Sequence, residues 1–82
     1  MAATRQEIQA WLERGKTEGA THVIVICDTY GHDDYPVYVS SDENAREKAN
    51  RYDGTNMQRI MEVYNLSMDM EQQLSQHRVL NY

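Results

Sequence analysis

Thr21-His22-Val23-Ile24-Val25-Ile26-Cys27 decides the fold. The run is rich in β-branched residues and too short for a helix, so it reads as a strand. Alternate residues of a strand point to opposite faces, and both faces are apolar here: Ile24 and Ile26 on one, Val23, Val25 and Cys27 on the other. A strand apolar on both sides is a central strand covered from above and below.

On its C-terminal side, Asp28 to Asp34 is a turn-rich loop around Gly31, and Tyr35 to Val39 is a second strand. Tyr35, Val37 and Val39 share a face, and Pro36 confines this strand to a sheet edge or a strand start. The two strands form an antiparallel hairpin with a long tip. On the N-terminal side, Thr4 and Glu7 fit a capping box that opens a helix carrying Ile8, Trp11 and Leu12. Gly15 weakens that helix and Gly19 ends it.

Beyond the hairpin, a polar helix opens at Ser40 or Ser41 and runs to about Tyr52, with Ala45, Ala49 and Tyr52 as its apolar face. Asp53-Gly54 breaks it. Thr55 then caps a helix with Met57, Ile60, Met61 and Tyr64 at i, i+3, i+4 and i+7, the strongest helical periodicity in the chain. The stripe shifts phase to Leu66, Met70, Leu74 and His77, predicting a break near Asn65 to Ser67 and a last helix capped by Ser67, or one kinked helix. The fold class expected is α+β: an antiparallel two-stranded hairpin, with room for one more strand, packed by three or four helices in a single domain over 1–82. Two strands alone are marginal. Helices on both faces, a third strand from a terminus, or a second copy of the chain would complete the sheet. The phase difference between the two stripes favours a homodimer built on the C-terminal helices.

Composition narrows the function classes. The 82 residues carry 8 basic and 13 acidic side chains, a net charge of −5. Asp28, Asp33, Asp34, Asp42 and Glu43 lie in one segment that contains no Lys or Arg. No dense basic footprint for nucleic acid is present. No apolar run approaches the ~20 residues of a membrane span, no signal-peptide core opens the chain, and the single cysteine, Cys27, rules out an internal disulfide. A cytoplasmic protein is expected.

Cys27 to Asp34 places a thiol, an imidazole and three carboxylates within eight residues. The spacing matches no metal or nucleophile motif, and a cysteine after four apolar residues is ordinarily a small buried hydrophobe. No catalytic residue, metal or cofactor is expected. Two binding sets remain. Tyr30, Asp33, Asp34, Tyr35, Tyr38, Asp42 and Glu43 would make an acidic, tyrosine-bearing protein contact, since interfaces favour aromatic residues. Alternatively Arg46, Arg51, Tyr52 and Arg59 would hold a nucleotide by charge and stacking.

The segment from Asn56 to Glu71, NMQRIMEVYNLSMDME, together with Trp11 to Lys16, Gly19 to His22, Cys27 to Thr29 and Asp34 to Val39, resembles a group of small tailed-bacteriophage proteins across nearly the whole chain. The resemblance implies the infected bacterial cytoplasm as the setting and assigns no activity. Small acidic proteins of this kind often inhibit host or defence proteins, so a host or defence protein is the partner it suggests.

Overall fold

The computed structural model describes residues 3–54, 57–76 and 78–82. Element order is α1 (Arg5–Thr17), β1 (His22–Asp28), β2 (Asp33–Val39), α2 (Ala45–Tyr52), β3 (Gln58–Asn65) and α3 (Met70–Ser75). The strands form one antiparallel sheet in the order β2-β1-β3, so β1 is the central strand that its two apolar faces required. Val23, Ile24, Val25 and Ile26 are all essentially inaccessible to solvent.

Each face of the sheet has its own cover. On one side Ala45, Ala49 and Tyr52 of α2 pack against Ile24, Ile26, Val39, Ile60 and Val63. On the other, Ile8, Trp11 and Leu12 of α1 meet Val23, Val25 and Tyr64, joined by Met70, Leu74 and Val79. Met70 and Leu74, both half-buried, thus pack against the α1-side core of the same chain.

Thr4 caps α1 as expected: Glu7 N–H donates to Thr4 Oγ1 at 3.2 Å. Gly15 lies inside α1, buried, and a β-carbon there would come within 2.9 Å of Leu66 Cδ1 and 3.0 Å of Val23 Cγ2. The missing side chain is what lets α1 approach the sheet. α2 begins later than the sequence suggested. Asn44 is its cap, accepting from Glu47 N–H at 3.0 Å, while Ser40 and Glu43 close a separate turn before it.

The helix expected through Met57, Ile60, Met61 and Tyr64 is instead strand β3. The register explains the misreading. Val25 faces Glu62 and Ile26 faces Ile60, so Met61 is an extra residue, a β-bulge. Ile60 and Val63 therefore serve the α2-side core, and Met61 and Tyr64 the α1-side core. An inserted residue turns the strand's spacing of two into three, which imitates a helix. The third strand also comes from the chain interior rather than from a terminus. Asp69, not Ser67, caps α3, with Gln72 N–H donating to its Oδ1 at 3.1 Å. The expected cap at Thr55 and the stripe position His77 lie outside the described residues.

The outer edge of β3 is dressed along its length. Asp53 Oδ1 accepts from Ile60 N–H, and the Arg78 guanidinium donates to the Met61 and Ile60 carbonyls at 3.2 and 3.4 Å. Val63 exchanges bonds with Val79 and Asn81 in a short parallel pairing. Asn65 is held by the buried amide of Gln73, which accepts from its N–H and donates to its carbonyl, both at 2.9 Å. Gln73 Oε1 also accepts from Asn81 Nδ2 at 3.0 Å. On the opposite edge, β2 carries Pro36 at its midpoint.

Candidate functional site

The end of the sheet where β1 turns into β2 is the most exposed apolar feature of the described chain. Tyr30 is 79% exposed and Met57 60%. The backbone holds them together. Thr29 donates to the Met57 carbonyl twice, from N–H at 2.7 Å and from Oγ1 at 2.6 Å. Asp28 Oδ1 accepts from Tyr30 N–H at 3.0 Å, and the Asp28 carbonyl accepts from His32 N–H. His32 and Met57 both occupy the left-handed region, at φ 57 and 60, a conformation non-glycine residues seldom adopt. This end is therefore a tight, multiply bonded corner rather than a loose loop.

Asp28 and Asp33 face each other directly across the hairpin. Their carboxylates bracket Gly31: a methyl group added there would lie 3.3 Å from an Asp33 oxygen and 3.7 Å from an Asp28 oxygen.

The seven residues of the acidic, tyrosine-bearing set do not share one surface. Tyr30 and Asp33 are exposed at the tip. Asp34 is half-buried, accepts from Ala3 N–H at 3.1 Å, and lies in a row with Cys27 and Arg59 across the three strands. Tyr35 packs toward α2, its hydroxyl bonded to Gln58 Nε2, whereas Tyr38 packs toward α1. Burial pushes both phenols up. Asp42 and Glu43 follow the far end of β2, about 20 Å from the tip at the rise of a strand. Glu43 closes its turn there, accepting from Ser40 N–H at 3.0 Å, Ser40 Oγ at 2.7 Å and Lys48 Nζ at 2.9 Å. The Ser40 backbone bond, then Lys48 and the Ser40 hydroxyl, hold its carboxyl down to about 2.

The nucleotide set is likewise dispersed. The Arg46 guanidinium stacks 4.3 Å over the Tyr82 ring. Arg51 lies beside Asp42, Glu43 and Glu47. Tyr52 is packed into the α2-side core. Arg59 is on the opposite face of the sheet, lining a recess of about 290 Å³ with Asp34, Met61, Glu62 and Arg78. These four residues do not converge on a single recess.

Cys27 is half-buried, and burial, then a bond to Asp34, pushes its thiol up, against a smaller opposing pull from Arg59. That is the reverse of what a nucleophilic thiolate needs. Among the described residues, no three of His, Cys, Asp or Glu come together as a metal ion would require. His22 is lowered by burial, its Nδ1 lying 2.9 Å from Thr21 Oγ1. No helix of the described residues is long and apolar enough to cross a membrane.

Sequence reasoning missed Met57 as a surface residue, because the false helical stripe assigned it to a core. The Gly54 and Asn56 environment of Met57, flanked by turn-formers, was the signal that it belongs to a connection. Compared with known protein families, curated proteins and solved structures, the chain matches none of them.

Proposed function

We propose that this chain is a non-enzymatic interaction protein that binds a protein of a bacterial host, or one of its defence proteins, and blocks it. The observation that carries this reading is the corner at the end of the sheet, where Tyr30 and Met57 stand exposed on a hydrogen-bonded scaffold. A backbone already held in one geometry needs little ordering on contact, and aromatic and methionine side chains are enriched at interfaces, both of which favour binding. The thiol pushed up at Cys27 and the dispersal of the arginines support binding through a surface over chemistry in a pocket. The resemblance to phage proteins supplies the setting, the cytoplasm of an infected cell. The scattered acidic set reduces, in this reading, to Tyr30 and Asp33 with Met57 added.

The test is affinity capture from bacterial lysate on the immobilised chain, read by mass spectrometry against a Tyr30→Ser chain. A host protein retained in stoichiometric amount by the parent and lost with Tyr30→Ser is the expected result. Retention of nothing, or of a nucleotide alone, rejects it.

A further inference from the structure

Independently of that reading, we propose that the recess between the start of α1 and β3 binds a small organic monocarboxylate, its charged end on Arg59 and Arg78 and its apolar body on Ile8 and Met61. The β-bulge builds this recess. Consecutive side chains of a regular strand point to opposite faces. The residue inserted at Met61 instead lets Met61 and Glu62 join Arg59 on the α1 side, and all three line the recess. Bulges recur beside binding sites because they re-aim side chains in this way. The charges of the recess are not paired with one another. Arg78 spends Nε and Nη2 on the Met61 and Ile60 carbonyls, which fixes its head at the rim without neutralising it. Among the described residues neither Arg59 nor Arg78 forms an ion pair. The two acids are engaged by neutral donors: Asp34 accepts from Ala3 N–H at 3.1 Å, and Glu62 faces the Tyr64 hydroxyl. Asp34 also stands on the far side of Cys27 from Arg59 in the row across the sheet. A carboxylate supplies what both guanidiniums lack, and the planar fork of Arg matches its two oxygens. Asp34 and Glu62 oppose a second negative charge, which selects a monoanion over a dianion. Ile8 and Met61 add an apolar surface to the recess, and Met adapts to the body that lies on it. At about 290 Å³ the recess lies just below the ~300–1,000 Å³ of most small-molecule sites, so the ligand is small.

The probe is 4-phenylbutyrate, titrated into the full chain and followed by amide chemical shifts. Three controls separate its parts: 4-phenylbutanol has the body without the charge, acetate the charge without the body, and inorganic phosphate a second charge. Saturable shifts at Ala3, Ile8, Met61 and Glu62 are expected with 4-phenylbutyrate, and binding at least tenfold weaker with each control. Arg59→Gln should weaken 4-phenylbutyrate at least tenfold without changing the melting temperature, since this side chain is exposed. Arg59→Lys, which keeps the charge and loses the fork, should fall between the two. Arg46→Gln, on the helix covering the other face of the sheet, should leave binding unchanged. No saturable shift, shifts centred away from the recess, or indifference to Arg59→Gln would each overturn the assignment. Equal binding of the alcohol would overturn it too, because the guanidiniums would then play no part, and equal binding of acetate or phosphate would mean charge without a recess. Capture of a host protein through Tyr30 neither supports nor weakens this site, and the titration in turn leaves the interaction reading as it stands.

Discussion

At the scale of single residues, two positions show how neighbours set chemistry. Cys27 sits between Asp34 and Arg59 in a row across the sheet, and its thiol is raised by burial first and by Asp34 second. It should react with iodoacetamide at pH 7.5 several-fold more slowly than in the urea-unfolded chain, and Asp34→Asn should narrow that gap. A rate equal in folded and unfolded protein would show that the thiol is not protected. Gly15 presents the opposite situation, a residue defined by what it lacks. Alanine there gains about 0.5–1 kcal/mol of helix propensity, but overpacking against Val23 and Leu66 costs about 1–3 kcal/mol. Gly15→Ala should lower the melting temperature by several degrees, and Leu66→Ala in the same chain should recover part of it. A higher melting temperature for the single variant would mean that α1 shifts outward without cost.

At the scale of elements, β3 is where sequence and structure part. The hairpin was legible because Thr21 to Cys27 has β-branched residues on both faces and Asp28 to Asp34 holds the turn-formers. The cap of α1 was legible because Thr4 and Glu7 interact locally. β3 was not, because its bulge depends on Met61 being skipped between the Ile26–Ile60 and Val25–Glu62 pairs, a relation between distant residues. The Gln73 clasp was invisible for the same reason: nothing in the Gln72-Gln73 pair of a polar helix tells which amide will stand in for a strand. Gln73→Leu leaves the Asn65 N–H and carbonyl without their partner. At about 1–3 kcal/mol per buried unsatisfied group, the expected loss is roughly 3 kcal/mol, or more than 10 °C in a domain of this size. Chemical denaturation of the variant measures it, and a loss within experimental error would mean that water replaces the amide.

At the scale of the whole molecule, charge makes stability depend on pH in two steps. Burial holds the His22 imidazole below its ordinary 6.5, so the folded state resists its protonation. Its contribution is full above about pH 6.5 and declines as pH falls below that value. Glu43 is held at about 2 against an ordinary 4.5, so its contribution is present above pH 4.5 and is lost as pH falls toward 2. Melting temperature measured from pH 8 to pH 2 should fall gently first and then again, with Glu43→Gln flattening the second step and leaving the first. Assembly belongs to this scale as well. Because Met70 and Leu74 pack onto α1 and the sheet, Met70→Glu with Leu74→Glu should unfold the chain, and sedimentation of the parent should give the mass of one chain, 9.6 kDa. A parent of twice that mass, split by the variant into folded halves, would support the dimer expected from the sequence.

The treatment of the sheet's two edges dictates how anything can recognise this protein. Many small domains lend an open strand to a partner and let main-chain pairing supply the affinity, with little regard for sequence. Here Pro36 removes a donor from the middle of one edge, and Lys48 already occupies the Tyr38 carbonyl on that strand. Asp53, Arg78, Val79, Asn81 and Gln73 occupy the other edge. A partner meets a β3 edge already engaged and a β2 edge interrupted at Pro36 and Tyr38, which favours recognition of side chains at the sheet's end or on a helix. Recognition of that kind is unforgiving of single substitutions: on the function proposed above, a target would escape by changing one residue, and this chain would follow by changing Tyr30 or Met57.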